Sequence, residues 1–363
     1  GNPYFANYVN SDLSPEDALS MCPLLGDTKV IVKNSYGEVS IFNIDYIYNQ
    51  FIRGIEYEIW TPEGWCKGIP NRVKMTDVYK ITFSNGVEVR MGEQHLQPVM
   101  GGKVFSAKDL KVGMWIPFNL NVMNFENKGN YNLGLAIGAF LGDGSYSENE
   151  IVYSFNNSTK LDITEKIMYF WDSMGMPVST NKTKSGKLFI RIGGKSAEYI
   201  KYFVDGDTSL NKKIGNNCFR MSEEFKKGVI DGLQLTDGSR EKKRIYTSSN
   251  ELRMSLTYLL ASLGRKYNIN YIDTRDGRYG ENPNYRIDCP ERDNYGEIYK
   301  TDSIYNYYKI VSIEKVSSTK EYLYCFEIDN KEHLFTLANG LVTHNCRLRL
   351  DMTELRKRGG GLF

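Results

Sequence analysis

A duplicated run of small and apolar residues constrains this chain more than any other feature of it. Residues 133–144 read Leu-Gly-Leu-Ala-Ile-Gly-Ala-Phe-Leu-Gly-Asp-Gly, and residues 226–238 read Lys-Lys-Gly-Val-Ile-Asp-Gly-Leu-Gln-Leu-Thr-Asp-Gly. Each predicts a short helix with small residues at helical spacing, ended by Asp-Gly at Asp143 and at Asp237. Glycine in a helix interior costs about 1 kcal/mol relative to alanine, so its repetition on one face implies that two backbones approach closely. The two aspartates lie 94 residues apart, a spacing that predicts an internal duplication of a whole structural unit.

The flanking sequence is of another kind. From Asp27 to about Pro117, short runs rich in Val, Ile, Tyr, Phe and Thr alternate with turn signals such as Ser84-Asn85-Gly86, which predicts β-hairpins. The clearest hairpin joins residues 78–83 to 87–91 and leads into Gly92-Glu93-Gln94-His95. Helical periodicity begins near Asn130, and strands return at about Tyr308 through segments 308–316, 321–328 and 333–337. The expectation is an all-β module, residues 22–125 plus 308–345, interrupted by an α/β (α+β) two-repeat domain at 126–307, each with its own core.

Composition narrows the function classes. With 363 residues, 41% hydrophobic and 13% aromatic, the chain has enough apolar material for two or three packed domains, which excludes disorder. Residues 133–141, the longest nearly unbroken apolar stretch, are about half of a bilayer span, and no basic-then-apolar leader is present, so no membrane role is expected. Six scattered cysteines without a CxxC pair point to a reducing, cytoplasmic setting. A net charge of only +2 means that nucleic-acid binding must come from local patches. Lys182, Lys184, Lys187, Arg191 and Lys195 form one such run; Arg240, Lys242, Lys243 and Arg244 form another. The chain starts at Gly1 and stops at Gly359-Gly360-Gly361-Leu362-Phe363, and it reads as a piece of a longer polypeptide.

On the duplicated helices and their aspartates, residues 126–307 resemble the LAGLIDADG homing endonucleases. The resemblance implies a monomer acting on double-stranded DNA, with Asp143 and Asp237 as catalytic Mg²⁺ ligands at the DNA-facing end of paired helices. Two carboxylates brought together repel; divalent cations relieve that repulsion while activating water and stabilising the leaving oxygen. Lys212, in Asn211-Lys212-Lys213-Ile214-Gly215, matches the lysine that precedes the second motif in that family, with Gly215 where proline is usual and Lys213 as the alternative.

A second resemblance explains the interruption. Cys22-Pro23-Leu24-Leu25-Gly26-Asp27-Thr28-Lys29-Val30 is similar to the start of an intein, and Ala338-Asn339-Gly340-Leu341-Val342-Thr343-His344-Asn345-Cys346 to its end. This implies a horseshoe-shaped HINT splicing domain that uses no cofactor. In that chemistry Cys22 forms a thioester with the preceding carbonyl, Cys346 takes over the acyl group, and Asn345 cyclises to release the branch. His95 would protonate the amide nitrogen of Cys22, while His333 and His344 would assist cyclisation. Gly92 stands where the family's Thr-x-x-His block has threonine, so the resemblance implies a slow first step that Gly92→Thr should accelerate. Cys325 occupies a position where many inteins carry Asp and some Cys; a relay thiol, an acid-base group and a small buried hydrophobe all remain open for it.

The flanks, 1–21 and 346–363, resemble ribonucleotide reductases, most closely the anaerobic ribonucleoside-triphosphate reductases, and would be host exteins too short to fold. A reductase fragment with a regulatory insertion is a competing reading, but it leaves Cys22, Asn345 and the three histidines unexplained. A splicing module whose inserted domain only binds DNA is another; the intact Asp143 and Asp237 argue against it.

Overall fold

A computed structural model describes residues 23–119, 128–156, 161–239, 241–272, 284–290, 298–328 and 330–345. Before the duplicated helices run β1 (Leu24–Leu25), β2 (Lys29–Lys33), β3 (Val39–Asn43), α1 (Ile44–Ile52), β4 (Tyr57–Thr61), β5 (Gly64–Lys74), β6 (Val78–Phe83), β7 (Glu88–Gly92), β8 (Leu96–Pro98), β9 (Val104–Ser106) and β10 (Trp115–Asn119). The middle of the chain holds α2 (Tyr131–Asp143), β11 (Gly144–Ser147), β12 (Glu150–Asn156), α3 (Leu161–Ser173), β13 (Val178–Lys182), β14 (Lys187–Ile192), α4 (Ser196–Lys201), β15 (Val204–Asp205), β16 (Lys213–Ile214), α5 (Glu223–Thr236), β17 (Gly238–Ser239), β18 (Arg244–Thr247), α6 (Asn250–Ser262), β19 (Asn268–Ile272) and β20 (Asn284–Asp288). Strands then resume as β21 (Tyr299–Thr301), β22 (Tyr305–Val316), β23 (Tyr322–Ile328), β24 (Leu334–Thr336) and β25 (Val342–His344).

Strands from both sides of the insertion share one antiparallel sheet in the order β10-β22-β6-β7-β1-β23-β5-β4-β2-β3, with β21 beside β22. The two-residue β1 lies in its middle: Leu24 pairs with Met91 of β7 and with Tyr324 of β23. Its leucines are buried, as a strand flanked on both edges requires. The insertion leaves and rejoins this sheet at one place, because Asn119 and Tyr305 face each other across β10 and β22. The all-β module split by an α/β domain is therefore present, although the chain is back on the sheet by Tyr299, before residue 308. The expected 125/126 boundary lies outside the described residues.

The insertion is a true duplication. Its two main sheets run β11-β12-β14-β13 and β17-β18-β20-β19, the same first-second-fourth-third order. Helices α2 and α5 pack through their glycines: a β-carbon on Gly134 would fall on the carbonyl oxygen of Phe225, one on Gly138 on that of Val229, one on Gly228 on that of Tyr131, and one on Gly232 on that of Leu135. No side chain larger than hydrogen fits between these backbones, which is why the runs tolerate the helix-propensity cost. Side chains of Asn130 and Ser222 cap the two helices by accepting from Leu133 N and Phe225 N.

The expectation of separate cores is corrected here. Buried apolar residues of the sheet and of the insertion form one continuous cluster. Polar contacts reinforce it: Tyr267 Oη donates to Asn339 O at 2.5 Å, Ile269 N to Asn85 O at 2.8 Å, and Arg220 pairs with Glu38 at 3.3 Å. Leu263, Tyr267 and Ile269, which follow α6, join this shared cluster, so the two modules weld rather than merely tether. Among the described residues no helix is long and apolar enough to cross a membrane.

Candidate active sites

The β6–β7 hairpin delivers the chain into a tight turn in which His95 N donates to Gly92 O at 2.9 Å. Past that turn His95 and Gln97 both face strand β25, and neither is exposed to solvent. His95 Nε2 lies 2.5 Å from Thr343 Oγ1, Thr343 Oγ1 donates to Gln97 Oε1 at 3.0 Å, and Gln97 Nε2 donates to Val342 O at 2.7 Å. His95, 248 positions before Thr343 in the chain, is thus tied to the strand that carries His344.

At the other end of β25 the groups expected for asparagine cyclisation converge. Asn345 is fully buried. Its backbone N donates to His333 O at 2.8 Å, and its side-chain Nδ2 donates to Ile328 O at 2.7 Å, with Asn330 Oδ1 at 3.5 Å. His344 Nδ1 lies 2.7 Å from the Asn345 carbonyl oxygen; since that oxygen can only accept, Nδ1 carries the hydrogen. The His333 and His344 rings stack with centroids 6.2 Å apart, and His333 adopts φ +55°, a left-handed conformation uncommon outside glycine. Asn345 Oδ1 has no hydrogen-bond partner among the described residues. Sequence reading missed Asn330, whose Nδ2 holds Leu334 O at 2.7 Å, and also Gln97 and Thr343. For Gln97 a signal existed: a buried-type strand that alternates His and Gln on one face marks a polar cluster.

Cys22 and Cys346 lie outside the described residues. Cys325 is fully buried in β23 and is engaged in a disulfide, while Cys66, Cys218 and Cys289 are free. Burial pushes the Cys289 thiol up to about 12 and raises Cys218 as well, so neither is a nucleophile at neutral pH. The expectation that Gly92→Thr would help is opposed by packing: a β-carbon there would sit 2.8 Å from both Leu323 Cδ1 and Pro23 Cγ.

The second cluster lies where α2 and α5 end. A β-carbon on Gly142 would fall on Thr236 Oγ1 and 3.3 Å from Asp237 Oδ2, so the Asp237 carboxylate rests against the residue that precedes Asp143. Lys212 is buried beside them and donates from Nζ to Phe140 O at 2.9 Å and to Gly144 O at 2.8 Å, the carbonyls on either side of Asp143. Desolvation lowers its pKa to about 8, and attraction to Asp237 and Asp143 resists the fall. Lys213 points elsewhere, 3.9 Å from Glu251. No group of three or more His, Cys, Asp or Glu able to hold a metal occurs among the described residues. Two half-buried carboxylates and helix-end carbonyls are nonetheless hard oxygen donors that suit Mg²⁺, which keeps several waters and completes its shell with phosphate oxygens.

The basic runs lie along the two sheets of the inserted domain, where Arg191 stands 3.9 Å from Glu150. Lys182, Lys184, Lys187, Arg191 and Lys195 are all exposed along β13, β14 and the turns beside them. Arg244 is partly spent on Asp288, 2.9 Å from its Nε, and Arg240 lies outside the described residues.

No family model matches the chain. It is 25% identical over 356 residues to a protein named transcription initiation factor IIB from Methanocaldococcus jannaschii, a match that covers 87% of this chain and 49% of that protein. The chain thus spans about half the length of this curated relative. Among solved structures, a complex of the homing endonuclease I-DmoI with DNA and Ca aligns with 45% of this chain and 84% of its own, at 17% identity and a TM-score of 0.34. A transcription factor IIB Mvu mini-intein aligns with 28% of this chain and 71% of its own, at 15% identity and a TM-score of 0.25.

Proposed function

We propose that residues 22–345 form a self-splicing intein and that the inserted domain is a Mg²⁺-dependent, site-specific DNA endonuclease. One observation carries the splicing reading: Asn345, whose side-chain amide must attack its own carbonyl carbon, is buried with that carbonyl oxygen 2.7 Å from His344 Nδ1. An N–H donor there withdraws electron density from the carbonyl in the ground state and stabilises the negative oxygen that develops on attack. Attack by Nδ2 forms the succinimide and breaks the bond to the Cys346 nitrogen, which leaves as an amine. Earlier, the Cys22 sulfur attacks the Met21 carbonyl carbon, and the Cys22 nitrogen departs with a proton supplied through His95. The Cys346 sulfur then displaces the Cys22 thiolate from that acyl group, and after release the thioester rearranges to the amide joining Met21 to Cys346.

For the inserted domain, the support is the convergence of Asp143, Asp237 and Lys212 at the glycine-packed helix ends. Asp143 and Asp237 would hold Mg²⁺, which supplies charge neutralisation at a scissile phosphate and an acidified water. The exposed lysines and Arg191 would neutralise backbone phosphates of double-stranded DNA. The flanking residues 1–21 and 346–363 are read as exteins of an anaerobic ribonucleotide reductase, on their sequence alone.

Mass spectrometry of the full chain incubated with a thiol tests the first activity: an excised 22–345 product and ligated flanks are expected, and an indefinitely intact chain would overturn it. Incubation of the chain with the uninterrupted host gene and Mg²⁺ tests the second, with a single double-strand break expected at the insertion point.

A further inference from the structure

Gln97 and Thr343 are buried polar residues that the proposed splicing steps leave without a role, yet their hydrogen bonds have only one consistent reading. Gln97 Nε2 meets Val342 O at 2.7 Å and Pro98 O at 3.3 Å. Backbone carbonyls only accept, so the amide is fixed with Nε2 toward them and Oε1 away. That Oε1 lies 3.0 Å from Thr343 Oγ1, and an amide oxygen also only accepts, so the hydroxyl hydrogen of Thr343 is committed to Gln97. The Thr343 oxygen must then accept from His95 Nε2, 2.5 Å away. All three side chains are fully buried, where bulk water offers no alternative partners and a mispaired polar group is costly.

A neutral imidazole carries one N–H. We propose that Gln97 and Thr343 are positioning residues that lock neutral His95 in the Nε2–H tautomer, making Nδ1 its basic atom for the first splicing step. The inference rests on the splicing reading. In that step Nδ1 takes the thiol proton of Cys22 as the sulfur–carbon bond forms and returns it to the Cys22 nitrogen as the Met21 carbon–nitrogen bond breaks. Nε2–H stays bonded to Thr343 throughout. Because Val342 and Thr343 belong to β25, the acid of the first step is registered on the strand that carries His344 of the last.

Nitrogen-15 NMR reads the tautomer directly, and three histidines keep the spectrum simple. The full chain with Cys22→Ala and Asn345→Ala is labelled at its imidazoles, and His95 is assigned by its loss in His95→Gln. A protonated Nε2 and unprotonated Nδ1 are expected in the neutral ring. Gln97→Met frees the Thr343 hydroxyl to donate to Nε2 and should move the hydrogen to Nδ1; Thr343→Ser should keep the parent pattern. In a chain carrying only Asn345→Ala, thiol-induced cleavage before Cys22 should slow about 10- to 100-fold on adding Gln97→Met and survive Thr343→Ser. C-terminal cleavage in a Cys22→Ala chain should stay near the parent rate. A neutral parent with Nδ1–H, or a tautomer indifferent to Gln97→Met, overturns the proposal. Should Gln97→Met fail to fold, Thr343→Val removes the acceptor and should abolish the preference for Nε2–H, an unchanged tautomer counting against the proposal. If the unaltered chain never cleaves at Cys22, the splicing reading fails and the NMR result alone decides the tautomer lock.

Discussion

The Nδ1 atom of His344 stands 2.7 Å from the carbonyl oxygen of Asn345, the next residue in the chain. Neighbouring residues on an extended strand normally face opposite sides, so an imidazole turned back onto the following carbonyl is a specific arrangement. It holds because Asn345 N is fixed to His333 O and Asn345 Nδ2 to Ile328 O, leaving the carbonyl free to face the ring. His344→Ala is therefore expected to slow C-terminal cleavage about 100-fold while the first acyl shift continues. Asn345→Ala should stop release altogether, with thiol-induced cleavage before Cys22 retained; the double variant Cys22→Ala, Asn345→Ala should show neither. Gel analysis of timed incubations distinguishes these patterns, and ligated product from the double variant would refute the assignment.

Gly92→Thr should not accelerate the first step. The new β-carbon would meet Leu323 Cδ1 and Pro23 Cγ at 2.8 Å, and overpacking of this kind costs about 1 to 3 kcal/mol. Urea denaturation together with thiol-cleavage rates measures both parts, and faster cleavage at unchanged stability would show that the turn can open to admit a side chain.

Asp143→Asn or Asp237→Asn is expected to abolish double-strand DNA cleavage and leave splicing at its parent rate, as is chelation of Mg²⁺. The continuous apolar core makes the contrast with packing variants sharp. Gly138→Val, which drives a side chain into the Val229 carbonyl, should destabilise both modules and impair both activities. Parallel nicking and splicing assays on the same preparations provide the check.

Much of this architecture was legible in the sequence, and the limits are physical. The glycine spacing of 134, 138, 228 and 232 foretold helix contact because only a missing Cβ explains such a pattern, and the sheets repeat as the duplication required. His95, His333, His344 and Asn345 were singled out from local motifs, and the fold brings all four to β25 or the segments it touches. Gln97 and Thr343 were not, since their hydrogen bond joins segments 246 residues apart in sequence; Asn330 lies only 15 residues before Asn345, but no local motif marks it. The shared core was missed for the same reason: nothing local in Tyr267 announces that its hydroxyl reaches Asn339.

Lys226 gives a pH signature. It is fully buried in α5, and desolvation holds its pKa well below 10.5. The unfolded chain then binds the proton more readily than the folded one between that depressed value and 10.5, so this residue adds stability as pH rises through the interval. Lys226→Met should raise the denaturation midpoint at pH 7 and remove the residue's share of the alkaline rise. Urea melts of both chains from pH 7 to 9.5 test the sign; a variant less stable at pH 7 would show that the contacts of the buried Lys226 side chain outweigh its desolvation.

Splicing should respond to redox conditions, since Cys325 is engaged in a disulfide and lies on β23, beside β1. Preincubation with an oxidant is expected to arrest the chain and a reductant to restore it, with Cys325→Ser spliced at similar rates in both. Equal rates for oxidised and reduced parent chains would exclude such control.

The pairing of Leu24 with Tyr324 also sets a clock. A ribosome that has made β1 must still make the whole insertion and β23 before that strand gains its second neighbour. Local pairs such as β6 with β7 form early, whereas contacts this distant in sequence come late. Pairing of Asn119 with Tyr305, once the insertion between them has been made, shortens the effective loop that remains to be closed. On the proposed splicing reading, a nascent chain would hold its first nucleophile without the surroundings that activate it, and the order of assembly would guard against premature scission during translation.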